Sequence, residues 1–147
     1  MTGRRSCGRL ASAEEATAGR EPIDESRPKV LIVDDEQDFT TATRLALENA
    51  GMETVVAENG LRAIEEIEIF QPDVIILDIY MPVMDGLKVC KFIRVEKQNA
   101  SLPIIAITAY GDETKKEEVL AAGANLYLTK PIDPVELLEH VRSFLGG

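Results

Sequence analysis

The chain has 147 residues, 45% apolar and 29% charged, which is the composition of one globular domain or two at most. Its formal net charge of -10 argues against binding nucleic acid or anionic lipid, since both need clustered cations. No apolar run has transmembrane length, and two cysteines, Cys7 and Cys90, are too few for a disulfide scaffold or a zinc site, so a soluble, reducing compartment is expected.

Residues 1–29 hold six cations and five acids, a net of +1, which leaves -11 for residues 30–147. The first stretch is rich in Ala, Gly, Ser, Thr and Arg, with Leu10 and Ile23 almost its only large apolar residues. It cannot bury enough apolar surface to offset the entropy of ordering its backbone, so residues 1–28 are expected to form a disordered extension. No apolar h-region of a signal peptide is present, and Glu14 and Glu15 count against a transit peptide.

From Val30 the texture changes. Val30–Val33 is a continuous apolar run that ends at Asp34, and Asp35 follows. Phe39, Ala42, Leu45 and Ala46 then recur at helical spacing, with Gly51 placed as a helix-ending glycine. Thr54–Ala57 is a weaker strand run, and Leu61, Ile64 and Ile67 make a second helical stripe that runs into Pro72. Val74–Leu77 ends at Asp78, and Leu87, Cys90 and Ile93 suggest a third helix, with Gly86 in the turn entering it. Ile104–Ile107 ends at Thr108, and Val119 and Leu120 lead a fourth helix to Gly123. Leu126–Leu128 ends at Thr129 and Lys130, and Val135, Leu138, Val141 and Leu145 form a fifth helix with Asp133 as N-cap and Pro134 at its first position.

Continuous rather than alternating apolar runs mean strands buried on both faces, as in parallel sheets. Five strand–helix units in succession predict a doubly wound α/β domain with strand order 2-1-3-4-5. In such sheets ligands meet the carboxyl ends of the strands, where Asp34, Asp35, Asp78, Thr108 and Lys130 fall. Three neighbouring carboxylates repel one another unless a hard cation or a proton intervenes, and Mg²⁺ suits oxygen ligands that leave room for waters and a phosphate. A lysine opposite supplies a positive point charge, a carboxylate can be the nucleophile, and Thr108 can donate a hydrogen bond to a phosphoryl oxygen.

Val30-Leu31-Ile32-Val33-Asp34-Asp35-Glu36, then Asp78-Ile79-Tyr80-Met81-Pro82-Val83-Met84-Asp85-Gly86, Ile107-Thr108-Ala109 and Tyr127-Leu128-Thr129-Lys130-Pro131 resemble the response-regulator receiver domain of two-component signalling. The resemblance covers residues 29–147 and implies a flavodoxin-like (βα)5 fold. It implies Asp78 as phosphoacceptor and Asp35 as direct ligand of Mg²⁺ (or Mn²⁺). Asp34 would act on the metal mainly through water, and the Tyr80 backbone carbonyl would be a further ligand. Lys130 would pair with the phosphoryl group, or with Asp78 before transfer. Thr108 and Tyr127 would be the switch pair, and a cis Lys130–Pro131 bond would aim the ammonium inward. The donor would be a histidine kinase, a histidine phosphotransfer protein or a small acyl phosphate.

Small Ala109 leaves space for a phosphoryl group, and the Tyr80 and Tyr110 rings are expected at the pocket rim, limiting in-line water. His140 is expected on an exposed helix face, Cys90 in the core, and Lys115-Lys116-Glu117-Glu118 on a solvated face. The chain ends two residues after Leu145, which suggests a stand-alone, chemotaxis-regulator-like cytoplasmic module that works through protein contacts, as a monomer or a phosphorylation-linked dimer. Competing readings fit less well. Metal-dependent phosphatases of the haloacid-dehalogenase type want an Asp-x-Asp pair after the first strand, and a flavin-binding loop would not be acidic and free of glycine. A degenerate receiver would not keep all five site residues.

Overall fold

The computed structural model describes residues 27–81, 84–109, 111 and 113–146. Five strands form one parallel sheet: β1 (Lys29–Val33), β2 (Glu53–Ala57), β3 (Val74–Asp78), β4 (Ile104–Thr108) and β5 (Leu126–Thr129). The helices between and after them are α1 (Gln37–Asn49), α2 (Gly60–Phe70), α3 (Gly86–Lys91), α4 (Glu113–Ala121) and α5 (Pro134–Phe144). The order across the sheet is β2-β1-β3-β4-β5, as the strand–helix alternation predicts. Every residue of β3 and β4 is buried, which is why those runs show no polar alternation.

Side chains alternate across the sheet and divide the core in two. Leu31, Val33, Ile75, Leu77, Ile104 and Ala106 pack on the face with Ala63 and Ile67 of α2, Val89 of α3, Ile93 just beyond α3, and Val119 of α4. Val30, Ile32, Val74, Ile76, Ile105 and Ile107 pack on the other face with Leu47, Leu137 and Val141 of α1 and α5.

Local chemistry sets the helix boundaries. Asn59, Asp85 and Asp133 each accept a hydrogen bond from a first-turn amide of the helix they precede, at 2.9, 3.1 and 2.8 Å. Gly51 follows α1 with φ +90, where a side chain would be strained. Pro134 opens α5, and the Lys130–Pro131 peptide is cis.

Four expectations need correction. In α1 the buried residues are Thr40, Thr43 and Leu47, whereas Leu45 is 57% exposed. The inward face is therefore turned from the apolar stripe; Thr40 is accommodated there because its hydroxyl donates to the Gln37 carbonyl of its own helix. The third helix is not uniform: α3 passes at Phe92 into a π turn that runs to Glu96. Gly86 is the first residue of α3 rather than part of a turn, and its need is space. A Cβ there would lie 2.5 Å from the Asp78 carbonyl oxygen and 2.8 Å from the Ile79 Cα. Lys115 is half-buried, with its ammonium 5.4 Å from the centre of the Tyr80 ring.

Cys90 is buried as expected, and burial pushes its thiol up to about 11. His140 is partly exposed on α5, 4.0 Å from Glu136. No helix among the described residues is long and apolar enough to cross a membrane. Cys7, the Pro82-Val83 pair, Tyr110 and the expected disorder of the first residues lie outside the described residues.

Candidate functional site at the carboxyl edge of the sheet

The backbone of the site is an extension of the sheet. Beyond the last strand pairs, the Asp34 N–H donates to Ala57 O at 3.1 Å and the Ile79 N–H to Ile107 O at 3.0 Å. The Lys130 N–H donates to Thr108 O at 2.7 Å, and the Gly86 N–H to Ile79 O at 2.9 Å. Each chemically active residue thus sits within a residue or two of a fixed ladder bond. A site built this way holds its geometry better than one on a free loop.

Asp34 and Asp78 are buried, at 2% and 6% exposure, and Asp35 faces solvent. One carboxylate oxygen from each of the three lies within 4.8 Å of the others. Asp78 is the final residue of β3, and its Oδ1 accepts from the Tyr80 N–H at 3.2 Å. Burial is the main cause that pushes the Asp78 carboxyl up to about 7, and the Asp34 charge adds to it. Lys130 and the Tyr80 N–H pull the other way, and the Asp35 charge adds a smaller upward push. An acid held so far above its ordinary range marks a place built for charge to be supplied from outside.

Asp34 Oδ1 accepts from the Glu36 N–H at 2.9 Å. Asp34 Oδ2 lies 2.8 Å from Lys130 Nζ, the shorter of that ammonium's two ion pairs. With one carboxylate oxygen from each of three aspartates gathered together, the residues fit a hard divalent cation or its bound water.

Lys130 corrects the sequence expectation. Among the described residues its ion pairs are with Asp34 and Glu36, and not with Asp78. Its directed hydrogen bond goes to Glu36 Oε1 at 3.1 Å, and the ammonium lies 4.6 Å from the centre of the Phe39 ring. Burial works against this ammonium, but its contacts with Asp34 and Glu36 outweigh burial and hold its pKa above the usual lysine range. Glu36 and Phe39 are the residues that sequence reasoning missed. The available signal was a glutamate at the N-cap of α1, where Asp, Asn, Ser or Thr is favoured.

Thr108 ends β4 and is fully buried. Tyr127 on β5 is partly buried and packs against the core under α2, α3 and α4. β4 pairs Ala106 with Tyr127 and Thr108 with Thr129, so the two-residue alternation puts Thr108 and Tyr127 on one face of adjacent strands. Tyr80 is 40% exposed at the mouth. Ala109 is exposed and borders an open groove of about 520 Å³ that is also lined by Glu36, Phe39, Lys130, Pro131 and Ile132.

An acidic cluster with a lysine beside it stands at the carboxyl ends of β1, β3 and β5, the edge where doubly wound α/β domains bind their ligands. Residues 30–142 match the family model for the response regulator receiver domain, and the chain belongs to that family. It is 38% identical over 117 residues to the alkaline phosphatase synthesis transcriptional regulatory protein PhoP of Bacillus subtilis, covering 80% of this chain and 48% of PhoP. The chain thus spans about half the length of that relative. It is 32% identical over 117 residues to the polar-differentiation response regulator DivK of Brucella anthropi, covering 80% of this chain and 95% of DivK. The chemotaxis response regulator CheY4 of Vibrio cholerae superposes with a TM-score of 0.74 at 35% identity, covering 80% of this chain and 98% of CheY4.

Proposed function

We propose that this receiver accepts a phosphoryl group on Asp78 in a reaction that depends on Mg²⁺ or Mn²⁺, and that the product switches a protein-interaction surface. The observation that carries the reading is the clustering of Asp34, Asp35 and Asp78 around a buried acceptor whose carboxyl is raised to about 7. Asp35 and Asp78, with the Tyr80 backbone carbonyl, would hold the metal directly, and Asp34 would reach it through water. When bound, such a cation offsets the negative charge that gathers as a phosphoryl group meets carboxylates.

The chain's own residues account for the rest. The Tyr80 N–H fixes Asp78 Oδ1 and leaves Oδ2 as the nucleophile. Ionised Asp78, its proton gone to solvent, attacks phosphorus in line. A P–O bond to oxygen forms as the bond to the leaving group breaks, and the leaving group departs with the electron pair. For acetyl phosphate the leaving group is acetate; for a phosphohistidine of a kinase or phosphotransfer protein it is the imidazole nitrogen. Lys130 and the Thr108 hydroxyl then meet the phosphoryl oxygens. Movement of Thr108 opens space on the face it shares with Tyr127, and the surface around α4, β5 and α5 follows. Tyr80 and Ala109 form the rim, the first limiting water and the second admitting the phosphoryl group.

A histidine kinase or histidine phosphotransfer protein is the proposed donor, the cytoplasm the proposed location, and a protein target the proposed output. DivK and CheY4, which the chain covers almost entirely, support a module that signals through contacts. The test is incubation with acetyl phosphate and Mg²⁺ and measurement of intact mass. One phosphoryl group is expected on the native chain and none on Asp78→Asn; uptake that survives the substitution overturns the assignment.

A further inference from the structure

Glu36 breaks a local rule. It occupies the N-cap of α1 but makes no side-chain cap bond to its own helix. Aspartate, asparagine, serine or threonine there would satisfy a first-turn amide. The carboxylate instead reaches across 94 positions of sequence to the Lys130 ammonium, at 3.1 Å. The Phe39 ring, three residues further along, lies 4.6 Å from the same ammonium. Lys130 is thus held between Glu36 and the buried Asp34, whose Oδ2 lies 2.8 Å away, and among the described residues it makes no ion pair with Asp78. A residue that gives up a capping role for a distant contact is where function is expected to outweigh local stability.

We propose that Glu36 is a positioning residue that latches Lys130 away from Asp78 in the resting protein, so that transfer must first release the ammonium. This rests on the reading of Asp78 as acceptor given above. An incoming phosphoryl group competes with Glu36 for the ammonium. Only the fraction of molecules with Lys130 released is ready to stabilise the transferring oxygens, and the observed rate is reduced by that fraction. Glu36 is largely exposed, so the latch is weak and sets a rate without blocking it. Phe39 limits where the released ammonium can go, because a cation over a ring face keeps part of its stabilisation when the carboxylate contact is lost.

The test separates the bond from the charge. Glu36→Asp keeps the negative charge but shortens the side chain by one methylene, and it places a favoured capping residue at the start of α1. Glu36→Gln removes the charge and keeps the reach, and Glu36→Ala removes both. Phosphoryl uptake from acetyl phosphate with Mg²⁺ is expected to rise about two- to fivefold in Glu36→Asp and Glu36→Ala, the size of one exposed charged contact, with Glu36→Gln between them and the native rate. A second reading needs no phosphoryl donor. In metal-free protein, NMR exchange of the Lys130 ammonium protons is expected to quicken in the Asp and Ala variants. A native rate in Glu36→Asp beside a fast Glu36→Gln would show that net charge, and not the bond, governs uptake, and so overturn the latch. Unchanged ammonium exchange in all three variants overturns it as well. If the native chain takes up no phosphoryl group, the acceptor reading fails and the latch with it; uptake on Asp78 that no Glu36 variant alters defeats the latch alone.

Discussion

The two ends of the same strands are finished in opposite ways. At the amino end, backbone groups and one aspartate close the strands. Asp73 Oδ2 accepts from the Lys29 N–H at 2.9 Å, the Asp73 N–H donates to Lys29 O at 2.7 Å, and the Glu53 N–H donates to Pro28 O at 2.8 Å. Asp73 is exposed, so its charge stays in water. At the carboxyl end, two of three clustered carboxylates are buried and one lysine serves Asp34 and Glu36 at once. The amino end closes the sheet through these pairings. The carboxyl end keeps carboxylates under mutual repulsion, which a divalent cation or a proton relieves.

The strand interior between these ends should be far less tolerant than either. Ile76 is 1% exposed and lies beside Ile32 and Ile105 in the strand register. Ile76→Ala is expected to destabilise the fold by about 2–5 kcal/mol, the range for emptying a packed aliphatic site. Urea denaturation checks it, and a loss under 1 kcal/mol would show that the core under α1 and α5 collapses to fill the gap.

Gly86 ties the interior to the site. With the Asp78 carbonyl 2.5 Å from where a Cβ would stand, Gly86→Ala must move either the start of α3 or the end of β3. The expected loss is about 1–3 kcal/mol, as for overpacking elsewhere. Phosphoryl uptake should fall more than folding stability alone explains, because the displaced strand end carries Asp78, the proposed acceptor. Normal uptake in a destabilised variant would show that the helix gives way instead.

The fold was legible because buried parallel strands have a loud signature: uninterrupted branched aliphatics bounded by polar residues. The positions of Asp34, Asp78, Thr108 and Lys130 followed, since each stands at the end of such a run. Helix faces were harder. Threonine inside α1 at positions 40 and 43 and leucine outside at 45 reverse the usual hydropathy, so periodicity alone turned the helix the wrong way. The π turn from Phe92 to Glu96 is invisible to a reading that assumes 3.6 residues per turn. The lysine's choice of partner was least legible. Sequence placed Lys130 at the right edge, but several acids stand there, and the ammonium pairs with Asp34 and with the glutamate beside the aspartate pair rather than with Asp78. Such choices depend on side-chain reach over a few ångströms, which residue spacing does not encode.

Proton linkage at the carboxyl end gives the smallest expected effect. Asp78 is raised from an ordinary 3.8 to about 7 in the folded protein without metal. A raised folded value means that the native state holds a proton the unfolded chain has lost. That contribution to stability is fully present below about pH 4 and disappears as pH rises through about 7. In EDTA, therefore, the native chain should lose stability relative to Asp78→Asn between pH 4 and 7, and the difference should level off above that. Other carboxylates titrate in both proteins and cancel in the comparison. Solvent screening at the open mouth cuts the span to about 1–2 kcal/mol. Adding Mg²⁺ at pH 8 should recover part of the loss in the native chain more than in Asp78→Asn, because a ligand that binds only the folded state stabilises it by mass action. A difference between the native chain and Asp78→Asn that stays flat from pH 4 to 7 in EDTA would show that Asp78 holds no extra proton in the folded protein.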